Sequence, residues 1–470
     1  MHATVVSPFA RLRSGLQQGL LADYDELIPR TTWDRARIRR HQRERLHDLL
    51  RHAAAHSPFH AHRLAGLDPA DLGPEDLSAL PVMTKADLMA EFDDVVTDRR
   101  VTRAAAEAAL AAVDDQPAVV GDGALVLTSG GSSGPRGVFV LDAPAQRQFL
   151  GSLSRALVAR LRVTGAPPGG LHIAFVAAAS PVHATRAAVA LTEGGALPFH
   201  FSAVPVTLPV AEIVRQLDHL RPQALYGYPS MLALLAEEQV AGRLHIAPVT
   251  VTCTSETLTP DLRSRIREGF GAPVIDSFGS TEGLVGGTLP DDPGLVFAED
   301  GCIVELVDEH DRPVPLGTPS ASVLVTVLEN RLQPLIRYRI TDSFVELPPV
   351  AGHGYLRARV EGRSDDVLRF GGVVLHPLVM RSVLVHASDV VDYQVRQTPR
   401  GIAVDVLAPR GVDADALRTD LTRALAEAGL RGAEVTVSAV PDLPRDARTG
   451  KLRRFVPMGA AGARQPLAGL

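Results

Sequence analysis

Between residues 171 and 277, short apolar runs alternate with segments of helical period, and this restricts the possible folds more than any other feature of the 470-residue chain. The runs 171–177, 224–226, 249–253 and 274–277 are too short for helices, and the stretches 209–220, 230–240 and 261–270 repeat apolar residues at helical spacing. Strands that alternate with helices are the signature of α/β layering, so the body reads as layered α/β. A further strand is predicted at 124–127. From 301 to 344 the period changes to alternating β, clearest over 302–307 and 322–328, which predicts a small β unit attached to that body.

The flanks have their own character. Residues 33–106 are mostly helical in pattern: Leu46, Leu49, Leu50 and Ala53 recur at helical spacing, and Thr84 is placed to cap a helix opening at Lys85. After Gly362, strands are predicted at 373–375, 390–396, 402–408 and 434–440, with a helix over 414–428, within about one hundred residues. The expected fold class is α/β. A large N-terminal layered domain spans 1–362, with a helical start and a β subdomain near 301–345, and a small α+β C-terminal domain spans 363–470.

Composition removes several classes of function. With 46% hydrophobic and 22% charged residues the chain is neither disordered nor fibrous. A net charge of −6 gives no attraction to nucleic acid or an anionic membrane, and no run reaches the roughly 18 apolar residues of a membrane helix. Neither is expected as a partner. Cys253 and Cys302 are too few for a disulfide framework or a cysteine zinc site, and residues 1–10 read as no secretory leader, so a reduced, cytoplasmic setting is expected. The oligomeric state stays open, a dimer being compatible with the sequence. Of the 48 Lys and Arg residues only Lys85 and Lys451 are lysines. A lysine kept against so strong an arginine bias points to a task for a compact ammonium, although Lys85 also fits a solvated charge in a first helical turn.

Chemistry concentrates in five separated stretches. Thr128-Ser129-Gly130-Gly131-Ser132-Ser133-Gly134-Pro135-Arg136-Gly137 follows an apolar strand; glycines let backbone amides turn toward an anion, and hydroxyls with a cation complete a phosphate cradle. Read singly, it fits a plain flexible connection equally well. Asp276-Ser277-Phe278-Gly279-Ser280-Thr281-Glu282-Gly283 follows a second strand, and Arg337-Tyr338-Arg339-Ile340-Thr341-Asp342 a third. Gly362-Arg363-Ser364-Asp365-Asp366 opens the last unit, and Arg448-Thr449-Gly450-Lys451 lies near its end. Glu282 also fits an exposed turn residue, Asp342 a strand-end cap, and Asp365 a cap of the next strand.

In this order and spacing the five stretches resemble the adenylate-forming superfamily of acyl-CoA synthetases, peptide-synthetase adenylation domains and luciferases. The helical start with Leu80-Pro81-Val82-Met83-Thr84-Lys85 is most similar to the phenylacetate–CoA ligase branch. The resemblance implies that Thr128, Ser129, Gly130, Gly131, Ser132, Ser133, Gly134 and Arg136 hold the β- and γ-phosphates of ATP. It implies that Phe278, where the family usually has tyrosine, stacks on adenine beside Gly279, Ser255 and Glu256. Thr281 would touch the α-phosphate and Glu282 would hold Mg²⁺. Asp342 and Arg363 would sit at the ribose, Asp365 would be the hinge of a mobile C-terminal domain, and Lys451 would be the catalytic lysine of adenylation. Two departures stand out: Arg136 occupies the usual lysine position, and Ile340-Thr341 replaces Thr-Gly before the aspartate.

The expected reaction is ATP-dependent adenylation of a carboxylic acid, an aromatic one, followed by transfer to coenzyme A. His183, Tyr226 and Tyr228 are candidates for the acid pocket; each also fits a packing residue. A second expectation keeps adenylation and changes the acceptor to a carrier-protein thiol, an amine or nitrite. A third is a non-catalytic nucleotide-binding module, against which Glu282, Asp342 and Lys451 argue.

Overall fold

The structure, a computed structural model, describes residues 7–112, 116–129, 137–177, 184–194, 197–206, 208–289, 292–350, 352–363, 368–371, 373–375, 377–387, 389–445 and 452–458. The predicted strands of the layered body lie side by side. Phe199–Pro205, Leu171–Ala177, Ala224–Gly227, Thr250–Thr254 and Val274–Gly279 pair in parallel in that order. Val285–Thr288, Leu295–Phe297, Arg357–Arg363 and Asp342–Glu346 continue the sheet in antiparallel fashion to nine strands. The central strands are mostly buried because helices cover both faces, which is why they read as unbroken apolar runs.

Helices Val210–Leu220, Pro229–Val240 and Pro260–Phe270 close one face through a core that includes Leu217, Leu232, Leu235, Val251 and Ile266. Two of these helices touch at Gly269, where a Cβ would lie 2.5 Å from that of Ala236. The opposite face packs against helices Ala143–Thr164 and Pro8–Arg30 through Leu20, Tyr24, Leu150, Val158 and Ile173. Sequence reasoning had no helix at 8–30; there Ser7 accepts from the amide of Ala10 and Pro8 occupies the first turn. The predicted cap at Thr84 is present as a reciprocal capping box with Asp87.

Two expectations about the β pattern change. The run at 124–127 lies outside the parallel sheet: Ala124–Thr128 forms a separate antiparallel sheet with Ala118–Val120 and Val138–Leu141. The β subdomain ends sooner than 345. Cys302–Val307, Ser322–Val327 and Tyr338–Ile340 form a three-stranded sheet, whereas Asp342–Glu346 crosses over Thr341 to pair with Arg357–Arg363 on the edge of the main sheet. One stretch of β alternation thus serves two sheets.

Residues 368–456 build a core of their own. Hairpin Leu368–Phe370/Val373–Leu375, sheet Glu434–Ala439, Gly401–Leu407, Asp392–Thr398 and Phe455–Val456, and helices Pro377–His386 and Ala414–Glu427 enclose Leu384, Val395, Val404, Leu421 and Phe455. Cys253 and Cys302 are both free and buried, and burial pushes both thiols well above the usual cysteine range. Among the described residues no helix is long and apolar enough to cross a membrane.

Candidate active site

Parallel strands leave their carboxyl ends and the following loops along one edge, where open α/β sheets bind ligands. At that edge strand Val274–Gly279 runs into a tight turn: the Gly283 amide donates to Ser280 O at 3.0 Å and the Leu284 amide to Ser280 Oγ at 3.2 Å. Gly283 takes φ +106°, which favours glycine, so the turn is fixed and presents Thr281 and Glu282 half-buried at its tip. Both line a narrow cavity of about 20 Å³ with Phe139, Phe149 and Asn330.

Phe139 brings the Gly/Ser loop to the same place. The loop's stem is closed where the Ser129 amide donates to Gly137 O and the Gly137 amide donates back to Ser129 Oγ, both at 3.1 Å. Thr128 is fully buried at the end of its strand. Phe139, two residues past Gly137, packs edge-on to Tyr338 with ring centroids 6.1 Å apart. Burial and the nearby Glu282 charge push the Tyr338 phenol well above its usual range. Phe139, just past the loop's stem, therefore lines the cavity of the Thr281-Glu282 turn and also packs on Tyr338, at the start of the stretch that ends in Asp342. Gly130, Gly131, Ser132, Ser133, Gly134, Arg136, His183, Asp365 and Lys451 lie outside the described residues.

A second chain of contacts ties the remaining motifs together. Phe278 is half-buried and packs edge-on to Phe344 at 5.2 Å and to Phe297 at 6.0 Å. Phe344 lies two residues after Asp342, and Asp342 faces Arg363 across the antiparallel ladder. The two expected ribose residues are thus cross-strand neighbours, and Phe344 links their strand to the expected adenine residue Phe278 by a ring contact. Gly279 ends its strand exposed beside them. Asp276, on the same strand, is held in apolar surroundings that push its carboxyl up to about 7, against the opposing pull of Arg263.

Ser255 follows strand Thr250–Thr254 with φ +65°, a left-handed conformation that serine rarely adopts. It turns the chain so that Glu256 is almost fully buried, with the carboxylate accepting from the Ser230 amide at 3.2 Å and from Ser230 Oγ at 2.5 Å.

Beside the edge lies a larger cavity of about 460 Å³, lined by Phe149 and Leu153 of helix Ala143–Thr164 and by Phe175, Phe201, Tyr226 and Ser277 of the sheet. Tyr226 stacks on Phe175 at 5.0 Å and donates its hydroxyl to Ser277 Oγ at 3.0 Å; burial pushes this phenol up. Tyr228 does not share that face. The strand ends at Gly227 and the chain enters the helix at Pro229, so Tyr228 is swallowed by the core beneath that helix.

Residues 38–326 match the family model described as AMP-binding enzyme. The chain belongs to this family. As an AMP-binding enzyme it is 27% identical over 466 residues to phenylacetate–coenzyme A ligase of Thermus thermophilus, covering 90% of this chain and 97% of that one. It is 30% identical over 207 residues to phenylacetate–coenzyme A ligase of Escherichia coli, covering 41% and 45%. Among solved structures, 2-hydroxyisobutyryl-CoA ligase in the postadenylation state superposes with a TM-score of 0.69 at 22% identity, covering 91% of each chain. The chain thus has the fold of an adenylate-forming ligase, and phenylacetate–coenzyme A ligases are among the relatives of this AMP-binding enzyme.

Several residues of the site escaped sequence reasoning. Phe149 and Leu153 sit one helical turn apart on an otherwise ordinary amphipathic helix, and only their i, i+4 spacing marks them as one face. Ser230 and Arg445, which meet Glu256 from two distant segments, leave no trace in any local pattern.

Proposed function

We propose that this enzyme activates an aromatic carboxylic acid with ATP and transfers the acyl group to coenzyme A. The acid's carboxylate attacks the α-phosphorus as the bond to pyrophosphate breaks, giving acyl-AMP. The coenzyme A sulfur then attacks the acyl carbon, the thiol proton is lost, and AMP leaves. The cavity that the Thr281-Glu282 turn shares with Phe139, just past the loop stem, at the carboxyl edge and beside a larger aromatic-lined cavity, carries this reading. The likeness to phenylacetate–CoA ligases over nine-tenths of the chain supports it.

Anion meets anion in the first step, so the protein's task is positioning and neutralisation. The stretch from Thr128 to Arg136 cradles the β- and γ-phosphates, and Phe278 with Gly279 and the Ser255 backbone borders adenine. Asp342 and Arg363 hold the ribose. Thr281 contacts the α-phosphate and Lys451 bridges acid, α-phosphate and departing pyrophosphate. Among the described residues no group of three or more His, Cys, Asp and Glu side chains could cage a metal. A lone carboxylate beside a hydroxyl, completed by substrate phosphates and water, is a donor set that suits Mg²⁺, and Glu282 is the residue to hold it. Bound there, Mg²⁺ supplies positive charge to the phosphates. In this reading the segment 363–470 turns about Asp365 between the two steps, in the cytoplasm.

A matrix of acids against acceptors tests the proposal. AMP release from phenylacetate or benzoate that requires coenzyme A is expected. AMP release with an amine, nitrite or carrier thiol in its place would move the enzyme to another acceptor, and tight ATP binding without turnover of any acid would remove the ligase reading.

A further inference from the structure

Glu256 carries more than its place beside the nucleotide edge requires. Its side chain is 1% exposed, yet among the described residues only Ser230 serves it from its own part of the chain. Its other partners among the described residues are Arg445 and Leu452. The Leu452 amide donates to Glu256 Oε1 at 3.0 Å, and the Arg445 guanidinium lies 3.5 Å from the same oxygen. Arg445 Nη2 also donates to Ser230 Oγ at 3.0 Å. Arg445 and Leu452 face each other across an isolated antiparallel bridge, so both sides of one stem land on one carboxylate. The amide that meets Glu256 is the one joining Leu452 to Lys451.

The far side of the stem is fixed as well. Gln394 Nε2 donates to Arg453 O at 2.9 Å, and buried Arg454 pairs with Asp392 at 3.0 Å. The negative charge of Glu256 adds to that of Asp392 in holding Arg454 charged. The stem is thus bolted to its own sheet and bound to the large unit through the Glu256–Ser230 pair.

We propose that Glu256 and Arg445 are positioning residues for adenylation: their contact docks the Lys451-bearing stem at the nucleotide edge and is broken when the acyl group is handed on. This rests on the role of Lys451 given above. The physical reason is asymmetric. A buried carboxylate left with its hydroxyl and amide partners but without its cation is poorly compensated, so undocking is unfavourable unless water reaches it. Docking therefore biases the enzyme toward the first half-reaction and makes no contact with acid or phosphate.

The test separates the half-reactions. In Arg445→Met, acid-dependent ATP–pyrophosphate exchange is expected to fall roughly five- to 150-fold, the range of a typical coupling between sites. Thioester formation from synthetic acyl-AMP and coenzyme A should be unchanged or faster. Arg445→Lys should recover most of the exchange. Equal loss in both half-reactions, or loss in neither, would overturn the proposal. If Arg445→Met does not fold, Ser230→Ala reads the same ratio through the partner hydroxyl. Lys451→Ala, run alongside, keeps the two readings apart. Normal exchange in that variant removes the lysine's role, whereas its loss together with normal exchange in Arg445→Met removes the docking contact alone.

Discussion

The carboxyl edge of the main sheet and the stem that docks on it are held by opposite kinds of force. At the edge, Phe139, Tyr338, Phe278, Phe297 and Phe344 lock the motif-bearing strands through ring contacts that separate only if the core opens. At the stem, the contacts to the edge are polar: an amide and a guanidinium on the Glu256 carboxylate, and the same guanidinium on the Ser230 hydroxyl. Apolar packing gains nothing from being exposed to water, whereas polar groups are readily taken over by it. The proposed reaction, with a fixed nucleotide cradle and a moving lysine, would be well served by this division. The same contrast appears in relations between domains generally, whose contacts are more polar than cores.

Lys451→Ala is the largest blow to the stem side of that comparison. Acid-dependent pyrophosphate exchange should fall about 10²- to 10³-fold, as for removal of one charged transition-state donor, with the thermal transition unmoved. On the rigid side, Asp276→Asn tests the buried acid. The native state holds its proton up to about pH 7 while the unfolded chain loses it near 4. Wild-type stability should therefore fall as pH rises through that window, by at most about 1.4 kcal/mol per pH unit, and the variant's slope should be flatter. Chemical denaturation at pH 5 and pH 8 reads the difference, and parallel slopes would contradict it.

Gly269→Ala forces a methyl into the helix contact at Ala236 and should destabilise the large unit by about 1–3 kcal/mol, seen as a lower melting temperature with unchanged Arg445-dependent partitioning between half-reactions. The mildest expected effect is at the cavity. Phe201→Ala removes one lining ring and should raise KM for an aromatic acid roughly two- to tenfold, the worth of one aromatic contact, while KM for ATP stays put. Equal rises for both substrates would take Phe201 out of the acid's path.

Legibility from sequence follows the same divide. Strands 171–177, 302–307 and 373–375 fall where the apolar pattern puts them, because burial on one or both faces writes a short period into the chain. The helix Pro8–Arg30 was not legible, since its weak amphipathicity leaves little stripe to see. Tyr226 and Tyr228 look equivalent in sequence, as residues two apart on a strand share a face; the strand's end at Gly227 separates them. Five motifs could be ordered along the chain from their residue types alone. That Glu256 would meet Arg445 and Leu452, nearly two hundred residues on, could not, because a long-range ion pair imposes no period on either partner.

The burial of both cysteines has a practical reach. Cys253 and Cys302 sit in separate cores with their thiols held protonated, and a disulfide-exchange reagent attacks only accessible thiolates. In the folded enzyme a colour reaction that counts free sulfhydryls would register the disappearance of coenzyme A against a silent protein background. The same reagent added after unfolding would report two equivalents per chain, so one titration measures turnover and the other the fraction still native.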